Sequence, residues 1–173
     1  MAESFAEILT VDGKSNSLGR ASEVIELVLS DKSRLDELFS CLFDEDAWVR
    51  MRGADALEKI CRQHPDWLLP YIDKFQAELA SNAQPSLQWH LAQIYAQVNL
   101  SSDQKRSAIN WLKHLLSSTD VDWIVAANAM ETLVQFTKDG SVPKKNAVTL
   151  LKLQQKHKSN SVIRKANKLL AEL

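Results

Sequence analysis

Apolar residues return along this chain at helical spacing, in blocks that themselves return. In the stretch 47–63, Val49, Gly53, Ala56, Leu57 and Ile60 fall at i, i+4, i+7, i+8 and i+11, one face of an α-helix. The apolar residues that open this block and the later ones are Val49, Leu87, Val125 and Val162, spaced 38, 38 and 37 apart. A period of this length marks a chain of stacked supersecondary units, each burying its apolar face against the next.

The elements follow from this pattern and from its breaks. Helices are predicted over 3–9, 18–29, 33–43, 47–63, 66–80, 85–98, 102–116, 122–137, 143–157 and 161–172, paired as about five antiparallel hairpins. Asp44-Glu45-Asp46 suits a helix start, because carboxylates satisfy free amides and favour the positive end of the helix dipole. His64-Pro65 breaks the chain, Pro85 fits a first helical position, and Asp139-Gly140 closes the helix before Pro143. No alternating β-branched run is flanked by turn residues, so no strand is expected. The connections are short and no low-complexity tract interrupts them, which predicts one all-α domain over 1–173, an α-α superhelix.

The fullest copy of the repeat is Leu38-Phe39, then Phe43-Asp44-Glu45-Asp46-Ala47-Trp48-Val49-Arg50-Met51-Arg52-Gly53-Ala54-Asp55-Ala56-Leu57. It resembles a HEAT repeat, whose phrase runs Leu-x-Asp-x-Asp-x-x-Val-Arg-x-x-Ala-x-x-Ala-Leu. The later copies keep less. Asp120-Val121-Asp122-Trp123-Ile124-Val125 retains the acidic pair and the valine but has Ala126 at the arginine position, and Gln84-Pro85-Ser86-Leu87 retains only the apolar residue. The resemblance implies HEAT-like stacked hairpins and a structural bond across repeats for the Asp and Arg of the phrase, here Asp44 and Arg50. An uninterrupted ladder of that kind is not expected, because the pair does not recur.

Composition changes this picture little. Hydrophobic residues are 45% and charged residues 25%, with four Gly and four Pro, ordinary for a globular helical protein. The apolar runs are too short for a membrane span. The opening Met1-Ala2-Glu3-Ser4-Phe5-Ala6-Glu7 has no basic leader segment, and two cysteines make no disulfide framework, so a reducing, cytoplasmic setting is expected. Charge adds more. Residues 1–103 carry 9 Lys and Arg against 17 Asp and Glu, a net −8, and residues 104–173 carry 12 against 5, a net +7. The basic half is either a solvated surface or a face for an acidic partner, with nucleic acid among the candidates.

The repeat also predicts a surface. If Val49, Gly53, Ala56, Leu57 and Ile60 face the core, then Arg52, Asp55 and Lys59 point away from it. Carried through the alignment, these positions form three columns: Arg52, His90, Asn128 and Lys165; Asp55, Gln93, Glu131 and Lys168; Lys59, Gln97, Gln135 and Glu172. In HEAT-like folds the second helices line the concave side, so the resemblance makes these columns a partner-binding groove. Its mixed, amide-rich chemistry suits a polypeptide better than a row of phosphates. Of five tryptophans, Trp67, Trp89 and Trp111 are assigned to packing, while Trp48 and Trp123, beside helix starts, are candidate aromatic anchors.

Catalytic chemistry finds no footing. There is no nucleophile elbow, no phosphate-cradling glycine loop and no Cys/His pairing signature. Cys41, Cys61 and His64 fall short of the four ligands of a structural zinc site, so no metal and no cofactor are expected. His90, within Gln88-Trp89-His90-Leu91-Ala92-Gln93, lacks a carboxylate orienter at a useful spacing and is assigned to the groove. The expectation is a non-catalytic scaffold or adaptor that binds another protein or peptide, with no membrane contact. The alternative is a nucleic-acid-binding protein similar to the HEAT-like alkylpurine DNA glycosylases, supported by Trp123 beside Asp122 and by the basic residues after Lys138.

Overall fold

A computed structural model describes residues 3–10 and 17–173, and among these every regular element is helical. Ten α-helices follow in order: α1 Phe5–Thr10, α2 Ala21–Ser30, α3 Leu35–Ser40, α4 Ala47–Gln63, α5 Ile72–Lys74, α6 Pro85–Gln97, α7 Ser102–Leu116, α8 Trp123–Lys138, α9 Lys144–Gln154 and α10 Asn160–Glu172. The start signals act as the sequence implies. Asp46 and Asp122 accept from Trp48 N and Ile124 N at 2.8 and 2.9 Å, Pro85 opens α6, and Gly140, at φ 84°, takes the left-handed turn that ends α8.

Two expected helices are broken. Over 33–43 only Leu35–Ser40 is α-helical, between 3-10 turns at Lys32–Arg34 and Cys41–Phe43. The helix expected over 66–80 is a 3-10 stretch Pro65–Tyr71, the single turn of α5, and a π turn Phe75–Leu79. Pro70 explains the second break, since it lacks an N–H and its ring clashes with the preceding turn of an α-helix.

Contacts divide the chain into two compact units, Met1–Trp67 and Leu68–Leu173. In the first, α4 packs on α1, α2, α3 and the Cys41–Phe43 turn. Gly53 permits the last contact, because a Cβ there would lie 3.2 Å from Cys41 Cβ. The core collects Phe5, Leu9, Val24, Val28, Leu38, Val49, Ala56, Leu57 and Ile60. Arg52 belongs to it too, with no exposed surface. Its Nε donates to Ser17 O at 2.9 Å and its Nη1 to Leu9 O, a carbonyl in the last turn of α1. The charge is thus buried against carbonyl dipoles at a negative helix end.

In the second unit α6, α8 and α10 form one layer, while α7 and α9 pack against them as the other. Polar rungs stitch the hairpins together at sequence separations near the repeat length. Thr132 Oγ1 donates to Ala92 O at 2.9 Å across 40 residues, and Gln135 Nε2 to Ala96 O at 2.7 Å across 39. Buried Gln154 donates to Leu116 O and Ser118 O, each at 2.9 Å, and Lys105 pairs with Asp139 at 2.9 Å. The expected Asp–Arg bond takes another form: Arg50 Nη1 donates to Asp44 O and Glu45 O at 2.7 and 2.9 Å, closing the turn before its own helix.

Arg52→Ala removes two charge-assisted hydrogen bonds and leaves a cavity, so unfolding of the first unit should become easier by about 3 kcal/mol. Urea titrations followed by circular dichroism check this, and Arg52→Lys should not restore stability because an ammonium cannot reach both carbonyls as a fork does.

Candidate functional site

The predicted columns are only partly a surface. Arg52 is not a groove residue: it is wholly buried, because its guanidinium serves backbone carbonyls and not solvent. His90 is also buried, 6% exposed, with Nδ1 facing Gln93 Oε1 at 3.1 Å. Gln93 then donates to Asn128 Oδ1 at 3.0 Å, and Asn128 to Ile124 O at 2.8 Å. These residues form a polar thread between α6 and α8. Asp55 and Lys59 pair with each other at 2.8 Å along α4, and Gln97 is half-buried. Glu131 pairs with Lys165, and Glu172 with Lys138 at 2.7 Å, an ammonium that holds the Glu172 carboxyl below its usual range. Gln135 and Lys168 lie exposed, Gln135 bonded to α6 as described. Most of these side chains therefore bond to one another, and what the sequence presents as a recognition face is largely stitching.

The tryptophans separate. Trp67 stacks on His64 with centroids 4.1 Å apart beneath the Lys32 ammonium, and Trp111 donates to Ala80 O at 2.8 Å while meeting the Tyr95 ring edge-on. Trp89 lies half-buried against His90, and Trp48 is half-buried as well. Trp123 is different. It is 52% exposed, the most open of the large apolar side chains among the described residues.

Trp123 stands on the wall of an open cleft of about 650 Å³ within the second unit. Three turns build the cleft. Ala83 and Pro85 come from the start of α6, Leu115 to Trp123 from the α7–α8 turn, and His157 to Ser159 from the α9–α10 turn. His157, 2% exposed, holds two of them together: its Nε2 faces Val121 O at 2.8 Å, and its Nδ1 accepts from Ser159 N at 2.9 Å. The lining is mixed, with Trp123, Leu115, Val121 and Pro85 beside Asp120, Asp122, His114 and Lys158. Apolar walls carrying a few polar groups are the usual make-up of a binding cleft, and an open tryptophan is a ready anchor for a partner side chain.

Of the cleft, Trp123 is anticipated from sequence as an anchor, and Asp122 beside it only in the nucleic-acid alternative. The missing signal is a phase of the repeat: Ala83, Val121 and Ser159 are 38 residues apart, so one position of three consecutive hairpins returns to one place.

Other chemistry is sparse. Among the described residues no group of three His, Cys, Asp or Glu could hold a metal ion, and no helix is long and apolar enough to cross a membrane. Cys41 and Cys61 are both buried free thiols, and burial pushes each up to about 12 from its ordinary value near 9. Both therefore stay protonated at pH 8, and neither is an activated nucleophile. Ellman's reagent at pH 8 should label neither thiol of the native protein within minutes and both once the chain is unfolded in urea.

Comparison with protein-family models matches the HEAT repeat domain over residues 13–124. No curated protein and no solved structure matches the chain.

Proposed function

The chain belongs to the HEAT repeat domain family, and we propose that it is a non-catalytic interaction module that binds another protein or a peptide. The carrying observation is the 52%-exposed Trp123 on the wall of the cleft between three successive turns. A folded helical protein exposes few large aromatic rings, because burying one is worth roughly 2–3 kcal/mol. A ring left open beside a cleft of about 650 Å³ is suited to close over a partner's apolar side chain. The polar residues of the lining then orient the bound segment. The exposed Gln135 and Lys168 form an outer, secondary contact, which keeps part of the predicted groove in the surface. The buried protonated thiols suit a reducing, cytoplasmic setting.

Nucleic acid is the weaker partner for this cleft. A tryptophan beside Lys158 suits base stacking, but Asp120 and Asp122 on the same wall repel phosphates.

Immobilised protein should capture a specific partner from lysate of the native host. Trp123→Ala should weaken that capture at least about 30-fold, as for an interface anchor, while leaving helicity and melting unchanged. Gln135→Ala with Lys168→Ala should weaken it only a few-fold. The opposite ranking would move the contact to the second-helix columns.

A further inference from the structure

The α9–α10 hairpin carries a second surface, independent of the cleft. One side of it packs on α7 and α8, through Ala147, Leu151 and Gln154 of α9 and Val162, Ala166 and Leu169 of α10. Five of its other aliphatic residues, Val148, Leu150, Leu153, Ile163 and Leu170, are only half-buried. The repeat shows what such positions are built for. Moving 37 residues back from Ile163 and Leu170 reaches Ala126 and Leu133 of α8, a helix flanked by neighbours, and both are fully buried there. Helix α10 thus keeps at these two positions the apolar character that is fully buried in the preceding repeat.

Charge says which kind of helix would cover it. Residues 140–173 carry eight Lys and Arg against one Glu, and Lys152, Lys156 and Arg164 are exposed close to Leu153 and Ile163 along the two helices. The matching surface is on the chain itself. Residues 1–67 carry 14 acidic against 8 basic residues, a net −6. Within that unit α2 buries Ala21, Val24 and Val28, and leaves Ile25 and Leu29 half-buried on the neighbouring stripe beside exposed Ser22 and Glu26. Both surfaces are helical, each has a pair of half-open aliphatic residues, and their signs are opposite.

We propose that two copies of this chain associate head to tail, the α2 face of one copy stacking on the α9–α10 face of the other as a further hairpin. The contact is heterologous: a pair of copies leaves one acidic face and one basic face unused, so association either propagates or closes into a ring. Attraction between the faces is ionic at long range and apolar at contact, so it weakens with salt.

Sedimentation equilibrium on the full chain tests this. At about 50 mM salt the weight-average mass should rise with concentration to at least twice that of one chain, and return to one chain at about 0.5 M salt, where screening is within a few ångströms. Lys152→Glu/Lys156→Glu/Arg164→Glu on the basic face, and Ser22→Lys/Glu26→Lys on the acidic face, should each weaken association more than tenfold with unchanged circular dichroism. An equimolar mixture of the two variants should associate again, because each reversed face then meets its complement, and a merely misfolded variant would not recover. A chain that stays single at low salt, reversals without effect, or a mixture that remains single would each overturn the proposal. So would a chain that stays single while its basic face takes up a labelled polyglutamate or a DNA duplex, which would show that another polyanion covers it.

Discussion

A helical hairpin cannot bury its own apolar stripes, and the rest of this structure depends on that constraint. Each helix in the layer α6, α8 and α10 rests on the next, and several polar groups caught between hairpins bond to the neighbouring one. Thr132, Gln135 and Gln154 all answer to carbonyl oxygens one repeat away. The period in the sequence is therefore also the period of the hydrogen bonds. An unpaired polar atom in such a seam would cost about 1–3 kcal/mol, so the rungs select the register in which hairpins stack.

This explains how the fold is legible while the surface is less so. Apolar spacing alone places α4, α6, α7 and α8 within a residue or so, because burial acts on every turn of a regular helix. It fails over 66–80, where Pro70 overrides a pattern that otherwise reads as continuous. Charge misleads at Arg52. Three positions after Val49 it borders the apolar stripe, but an arginine reads as outward-facing, and the carbonyls of Leu9 and Ser17 receive it in the interior. Those partners are backbone atoms 43 and 35 residues away, and no side-chain pattern records them.

The candidate site divides in the same way. Trp123 is visible from sequence as an aromatic residue at a helix start, and it is exposed. His114 reads as one polar residue at the end of a helix, Lys158 as one in a polar turn, and Asp120 as half of the acidic pair of a repeat copy. Only the stacking of three hairpins brings their turns to a common wall. The amide-rich columns mislead for a related reason: Gln and Asn are equally suited to recognising a partner and to joining two helices, and here His90, Gln93 and Asn128 join them. The family match gives the architecture and leaves the ligand to those variable positions.

His157 gives the cleft a mechanical character. Because its ring bridges Val121 and Ser159, the α7–α8 and α9–α10 turns are tied, while the start of α6 adds to the lining. The width of the cleft is then set by the tilt between successive hairpins, as the opening of a hinge is set by its angle. If a partner occupies the cleft, as proposed, its fit and the tilt between the hairpins are linked by one free energy, so a change in either shifts the other.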